Sequence, residues 1–192
     1  MSRRGYRLGR RQGEVDRTRS AILAAARELV TERGPGSSLG KVAERAGVSR
    51  ITVYNRFGSK ERLLAALEAE VATATSDRVA EVEADPTDEL RRRIFHACSA
   101  WAADPGLHRQ LESRRQGRSQ ESQRDRALAE RLADSDELRP GCSLKEAEDV
   151  IGIVTSFPVF DRLHKGGRRS PAAVAEILMR IASECLSGAP DA

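Results

Sequence analysis

The sequence predicts an all-α protein, and two patterns carry that prediction. Apolar residues recur at three- and four-residue steps along most of the 192-residue chain, which is the period of an amphipathic helix. Aromatic residues make up only 4% of the chain, and runs of the Val, Ile, Tyr and Phe type that favours strands are scarce. Gly and Pro residues interrupt the periodic segments and set the ends of individual helices.

The first periodic segment, residues 15–33, is predicted to be a helix that ends at Gly34. Residues 1–14 before it are rich in Arg, interrupted by Gly and without a clear period. We interpret them as a basic flexible arm. Such an arm can lie on phosphates or enter a minor groove, and a solubilising tail without a partner is the alternative.

Two short helices with a tight turn between them follow. Ser38 offers an N-cap for a helix over residues 39–46, and Ser49 offers one for a helix over residues 50–57. Gly47 lies between them, at a position where a residue with a Cβ atom would resist a positive φ. This order of elements is a helix-turn-helix pattern.

The second of these helices is predicted to point Val53 and Phe57 into the core. The residues left on its outside and flanks are Arg50, Ile51, Thr52, Tyr54, Asn55 and Arg56. In a major groove, Arg reads guanine edges, Asn reads adenine, and Thr reads polar edges or a thymine methyl group. Helix starts favour phosphate, and a Tyr hydroxyl can donate to it. The predicted phosphate contacts are therefore Ser38, Ser49, Tyr54 and Lys60.

The charge of the chain is divided unevenly. Residues 1–62 contain 15 Lys and Arg against 6 Asp and Glu, a net charge of +9. Residues 63–192 contain 18 against 23, a net charge of −5. A basic module joined to a mildly acidic one indicates that the first part meets a polyanion and the second does not.

Several breaks organise the rest of the chain into helices. A fourth helix, which begins at Lys60 after Ser59, is predicted to run to about Ala84. Later helix starts are Asp85-Pro86, Asp104-Pro105 and Ser170-Pro171. A long apolar helix over residues 144–163 is predicted to be kinked by Pro158. Residues 116–126 are almost wholly polar, and a loop, an exposed helix face and a disordered link all remain open for them.

The sequence carries no motif of an enzyme, a metal site or a bound cofactor. Cys98, Cys142 and Cys185 are far apart, without a C-x-x-C pair, so neither a disulfide framework nor a zinc site is predicted. No P-loop, H-E-x-x-H or G-x-G-x-x-G motif occurs. No apolar run is long enough for a membrane span, and no signal peptide is evident. We expect a cytoplasmic, nucleoid-associated protein, and a thiol sensor through a cysteine is an alternative.

The residues around the turn resemble the TetR family of transcriptional regulators. The resemblance rests on Ser37-Ser38-Leu39, on Val42-Ala43-Glu44-Arg45-Ala46-Gly47-Val48-Ser49 and on Thr52-Val53-Tyr54-Asn55-Arg56-Phe57-Gly58-Ser59-Lys60-Glu61. Two positions depart from the family pattern. Ile51 stands where a small residue is common, and Asn55 stands where His is frequent. These departures mean that the operator sequence of a relative does not apply to this chain.

The resemblance implies about nine helices in two functional parts. Residues 15–75 would form the DNA-binding domain, with the helix-turn-helix motif at 38–57, and residues 76–192 would bind an effector and dimerise. The last two helices would pair with those of a second copy, and the apolar residues of 150–157 and 174–186 agree with that, although a monomer core is the alternative. Since a two-fold dimer spaces its recognition helices about 34 Å apart, the predicted operator on double-stranded DNA is an inverted repeat.

A repressor of this family would be released from DNA by a small-molecule effector. The apolar candidates for the effector pocket are Phe95, Cys98, Trp101, Leu111, Phe157 and Phe160, and ordinary core packing is the alternative for each. The polar stretch 116–126 argues against a large lipophilic effector. A rival function is an interaction protein whose helix-turn-helix is purely structural, and the outward Arg50, Thr52 and Asn55 argue against it.

Overall fold

The computed structural model describes residues 4–75, 85–112 and 119–187. Within these ranges it contains ten α-helices, one π-helical segment and no strand, so the all-α prediction is confirmed. The chain divides into two compact units. The first unit ends at Val71 and the second begins at Ala72, close to the boundary predicted after residue 75.

The first unit is built from four helices around one apolar core. Their bounds are α1 Arg4–Arg33, α2 Leu39–Arg45, α3 Arg50–Phe57 and α4 Lys60–Thr75. All four helices contribute buried side chains, including Ile22, Val42, Val53 and Leu67. The predicted starts and ends of α2 and α3 are reproduced to within one residue. Residues 76–84, where α4 was predicted to end, lie outside the described residues.

The N-terminus differs from the prediction. The structure begins α1 at Arg4, so residues 4–14 are helical and the interpretation of residues 1–14 as a basic flexible arm is wrong for them. Arg, which occurs four times in this stretch, is a good helix former. Extending an existing helix by one residue also costs far less free energy than nucleating a new helix. The helix over residues 15–33 therefore continues towards the N-terminus.

The second unit contains six α-helices and the π-helical segment within the described residues. Their bounds are α5 Pro86–Ala103, α6 Pro105–Glu112, α7 Ser119–Asp134, α8 Leu144–Val154, α9 Phe157–Asp161, π-helix Arg162–Gly166 and α10 Pro171–Leu186. The predicted caps form, because Asp85 accepts the amide of Asp88 at 3.0 Å and Ser170 accepts the amide of Ala173 at 3.2 Å. The central α-helices α5, α7, α8 and α10 pack around a shared core.

The helix predicted over residues 144–163 is two helices, which raises the total above the nine expected. Helix α8 ends at Val154, and Ser156 has an extended backbone with φ −104° and ψ 137°. Pro158 then lies in the first turn of α9, where its missing N–H removes no helical hydrogen bond. The prediction of a kink within one helix is therefore wrong, since the break precedes the proline.

Part of the polar stretch 116–126 forms helix. Helix α7 begins at Ser119, and it buries Asp125 at 6% exposure in an ion pair with Arg93 of α5. Gly152 of α8 lets the carboxylate approach, because a Cβ atom there would lie 3.2 Å from Asp125 Oδ2. Burial raises the pKa of Asp125, and the Arg93 guanidinium, which lowers it, offsets only part of that effect.

The buried ion pair gives a test of the fold of the second unit. We expect Asp125→Ala to lower the free energy of unfolding by about 3 kcal/mol, because the Arg93 charge is left without its partner in a mostly buried site. Glu130→Ala is the control, since it removes the exposed pair with Arg126 and should change stability by less than about 0.5 kcal/mol. Urea unfolding followed by circular dichroism measures the free energy of unfolding of both variants. Equally small losses in the two variants would show that the buried ion pair does not stabilise the second unit.

Candidate nucleic-acid interface

The turn between α2 and α3 is closed by two backbone hydrogen bonds. The amide of Gly47 donates to the carbonyl of Glu44 at 3.2 Å, and the amide of Val48 donates to the carbonyl of Ala43 at 3.0 Å. These are the two hydrogen bonds of a Schellman motif, which ends a helix on a residue in the left-handed region. Gly47 has a φ of 66°, as predicted. Val48 is half-buried beside the turn.

Helix α3 is capped at its start and packed into the core of the first unit by its inner face. Ser49 Oγ accepts the amide of Thr52 at 3.0 Å and lies 2.8 Å from Thr52 Oγ1, which makes it the N-cap of α3 as predicted. Val53 is fully buried and Phe57 is 6% exposed, so the predicted inward pair is confirmed. The Arg19 guanidinium lies 5.3 Å from the centre of the Phe57 ring, a cation–π contact that ties α1 to the end of α3.

The outer face of α3 is exposed and carries residues of mixed chemistry. Ile51 is 72% exposed and Tyr54 is 61% exposed, and Arg50 and Asn55 are exposed as well. Because residues three and four apart share a helix face, Ile51, Tyr54 and Asn55 present one surface. Thr52 is different. It is half-buried, and its hydroxyl already has Ser49 as a hydrogen-bond neighbour.

Three of the four predicted phosphate contacts, Ser38, Ser49 and Lys60, lie at helix starts. Ser38 is exposed, and its Oγ accepts the amide of Lys41 at 3.4 Å as the N-cap of α2. Ser59 Oγ accepts the amide of Arg62 at 3.2 Å in the first turn of α4. Lys60, the first residue of α4, is half-buried. The side chains therefore occupy the positions from which backbone amides and a helix dipole favour an anion.

An ion-pair cluster holds α2 against α1. Arg45 Nη1 donates to Glu28 Oε2 at 2.9 Å and to Glu32 Oε1 at 3.0 Å, and Arg45 Nη2 donates to Glu32 Oε2 at 3.2 Å. The hydrogen bond from Arg45 lowers the pKa of the Glu32 carboxyl. Nothing local in the sequence marks these contacts, because the partners are 17 and 13 residues apart. A groove of about 430 Å³ beside them is lined by Leu29, Arg33, Lys41, Glu44 and Arg45.

The second unit brings together most of the residues proposed for an effector pocket. Trp101 lies at ring-centre distances of 6.1 Å from Phe157 and 5.4 Å from Phe160. Cys98 is buried in the same core, and Phe95 is partly buried and packs against that core. Leu111 is buried on α6, a helix that contacts α9. The Trp101 Nε1 atom is buried and has no hydrogen-bond partner in the described part of the chain.

Two of the thiols, Cys98 and Cys142, do not have the surroundings of reactive cysteines. Burial raises the pKa of the Cys98 thiol to about 12, and burial together with Glu146 raises the pKa of Cys142. Both shifts reduce the thiolate fraction on which thiol reactivity depends. Among residues 4–75, 85–112 and 119–187, no group of three His, Cys, Asp or Glu is placed to hold a metal ion, and no helix is long and apolar enough to cross a membrane.

The fold and the geometry of the first unit define a helix-turn-helix DNA-binding module. Residues 22–67 match the family model described as bacterial regulatory proteins, tetR family. The HTH-type transcriptional repressor LfrR of Mycolicibacterium smegmatis is 37% identical over 87 residues. That match covers 44% of this chain and 46% of LfrR, so it spans less than half of that relative. These matches confirm the resemblance of this part of the chain to the TetR family.

Two solved structures share the fold over nearly the whole chain. NalD, the secondary repressor of the MexAB-OprM multidrug efflux pump in Pseudomonas aeruginosa, has a TM-score of 0.68 and 24% identity and covers 91% of this chain and 98% of its own. The transcriptional regulator FadR from Bacillus subtilis, in complex with stearoyl-CoA, has a TM-score of 0.69 and 21% identity and covers 89% and 99%. At these identities the similarity establishes the fold.

The left-handed turn residue gives a test with a matched control. Gly47→Ala should lower the free energy of unfolding by about 1–2 kcal/mol, because an L-residue resists a φ of 66°. Gly36→Ala should change it by less than about 0.5 kcal/mol, since Gly36 has no positive φ. An added Cβ atom meets nothing within 4 Å at either position, so only the backbone conformation differs. Chemical denaturation measures both variants. Equal losses in the free energy of unfolding would show that the positive φ of Gly47 does not determine which residue the turn can hold.

Proposed function

We propose that this chain is a transcriptional repressor that binds a palindromic operator on double-stranded DNA as a homodimer and is released by a small-molecule effector. It would act on the nucleoid in the cytoplasm. The observation that carries the proposal is the outer face of α3, which is exposed while Val53 and Phe57 hold the opposite face in the core. A helix fixed in this way can enter a major groove without rearranging its own unit.

The charge of the N-terminal part supports DNA as the partner. Residues 1–62 have a net charge of +9, and a basic module gains affinity for DNA by displacing the counterions of the phosphates. That gain is independent of sequence, so specificity must come from side chains that reach base edges. Arg50 and Asn55 are the exposed candidates, with guanine and adenine as their partners. Thr52 contributes less in this proposal, since its hydroxyl is engaged with Ser49.

The phosphate contacts set the register of α3 in the groove. Ser38, Ser49 and Lys60 would bind phosphates at three helix starts, and the exposed Tyr54 would donate its hydroxyl to a fourth. Both serines already cap their helices, so their backbone amides and hydroxyls are held in place before DNA arrives. A preformed site loses little conformational entropy on binding.

The second unit supports a dimer through a smaller apolar surface than the sequence predicts. Ile151, Val154 and Phe157 are buried within the unit, so they belong to its core. The large apolar side chains that stay exposed on the proposed dimer helices are Ile153 at 56% on α8 and Ile181 at 41% on α10, together with Leu144 at 45%, which lies on the opposite face of α8 from Ile153. Exposed apolar residues on two long helices are typical of the surfaces by which helical subunits pair.

The effector would bind among the aromatic residues of the second unit. The indole N–H of Trp101, which has no partner among the described residues, supports this site, because a buried donor without a partner costs about 1–3 kcal/mol. An effector that places an acceptor oxygen there would remove that cost. The FadR structure contains stearoyl-CoA, so the shared fold is compatible with a bound small molecule. The remaining pocket residues in this proposal are Phe95, Cys98, Leu111, Phe157 and Phe160.

Selection from a random duplex library tests the proposed function. The full chain should enrich an inverted repeat whose half-sites are 10–10.5 base pairs apart, or a multiple of that, and the affinity should fall steeply with salt. Failure to enrich any sequence would favour the rival function, an interaction protein with a structural helix-turn-helix. Repeating the selection with cell-extract metabolites would identify an effector by the loss of the enriched sequence.

Two substitutions separate base reading from phosphate binding. Asn55→Ala should weaken binding to the selected operator by about 1–3 kcal/mol and relax the preference at one position. Lys60→Ala should weaken binding to all sequences evenly and reduce the slope of log K against log salt by about 1. Titrations of fluorescent duplexes at several salt concentrations measure both effects. Equal loss of specificity in the two variants would contradict the assigned roles.

One substitution tests the dimer surface. Ile153→Glu should raise the dimer dissociation constant more than about tenfold, which is about 1.4 kcal/mol, because it places a charge in an apolar interface. Ala127→Glu introduces the same side chain at an exposed position of α7, outside the two proposed dimer helices, and serves as the control. Sedimentation equilibrium measures the association of both variants. A monomeric native chain at micromolar concentration, or equal association of all three proteins, would reject this surface.

A further inference from the structure

Ile51 is the most exposed of the large hydrophobic side chains in the described part of the chain, at 72%. It lies in the first turn of α3, next to the cap at Ser49. It takes no part in the core, because Val53 and Phe57 are the residues that α3 buries. The folded unit therefore gains little from an isoleucine here, which directs attention to what the residue meets outside the unit.

The residues around Ile51 indicate which kind of molecule its side chain contacts. Asn55 lies one turn further along the same face, and Arg50 beside it is exposed as well. Residues 1–62 carry a net charge of +9, which disfavours a second copy of this unit on the same face. The proposed DNA duplex is complementary to that charge, and an apolar side chain on a DNA-facing helix needs an apolar feature of a base.

We propose that Ile51 contacts the C5 methyl group of a thymine in the major groove. This inference rests on the proposed function. The methyl group of thymine is the apolar group that an unmodified base presents in the major groove, since the other base edges there offer hydrogen-bond donors and acceptors. A thymine in each operator half-site is therefore read by packing, while its neighbours are read by hydrogen bonds.

The distance between Ile51 and Asn55 places this thymine within the half-site. Four residues advance α3 by about 6 Å, which is just under two base-pair steps of about 3.4 Å. Asn55 is suited to adenine, so the thymine read by Ile51 lies within about two base pairs of that adenine. Ile51 also has a stiff, β-branched side chain, so little rotamer freedom is lost when the contact forms.

Replacing thymine by deoxyuridine tests the contact, because deoxyuridine lacks only the C5 methyl group. In the selected operator, each thymine is replaced in turn and binding of the full chain is measured by titration. We expect one thymine per half-site to respond with an about fourfold loss of affinity, which corresponds to about 0.8 kcal/mol for one buried carbon. Replacements outside the half-sites should leave the affinity unchanged.

Two variants of the protein connect this loss to Ile51. With Ile51→Ala, the operator containing thymine and the operator containing deoxyuridine should bind equally. With Ile51→Val, which keeps the β-branched methyl groups, most of the fourfold difference should remain. The exposure of Ile51 means that both variants should keep the native fold, which thermal unfolding by circular dichroism checks.

The outcomes separate this inference from the function on which it rests. A specific operator whose affinity is insensitive to deoxyuridine at every thymine, or whose half-sites contain no thymine near the adenine, overturns the inference and leaves the proposed function standing. A deoxyuridine effect of equal size in the native chain and in Ile51→Ala also overturns it. If no sequence is selected at all, the proposed function fails and the inference fails with it.

Discussion

The turn at Gly47 is the constraint on which the rest of the DNA-binding unit depends. Its two hydrogen bonds, from Gly47 to Glu44 and from Val48 to Ala43, end α2 and redirect the chain within two residues. Ser49 can then cap α3, and the direction of α3 decides which of its faces is buried. A residue that straightened this turn would change the surface presented to DNA, although no contacting side chain would have been altered.

Two departures from local rules lie at the proposed sites. Ile51 leaves apolar surface in water on α3, and Trp101 buries a donor in the core of the second unit that finds no partner in the part of the chain that the structure describes. Sequences that specify a stable fold tend to break such rules where function requires it. One departure lies on the face proposed for DNA and the other lies among the residues proposed for the effector, so each unit carries one.

The predictions from sequence succeeded where local chemistry decides the structure. The bounds of α3 were predictable because Ser49 and Gly58 adjoin its ends, and a cap or a positive φ is a local property. The prediction for the polar stretch around Asp125 stayed open because the partners that bury this residue, Arg93 and Gly152, come from other helices. For the candidate site, the outer residues of α3 were predictable from the sequence. Their degree of exposure was not, because it depends on how the four helices of the first unit pack.

Protection of the selected operator from dimethyl sulfate tests the central claim that α3 reads the major groove. This reagent methylates N7 of guanine in the major groove and N3 of adenine in the minor groove. We expect the full chain to protect guanine N7 in two patches about one helical turn apart on one face of the duplex. Protection confined to adenine N3, or no protected base within the half-sites, would contradict the account.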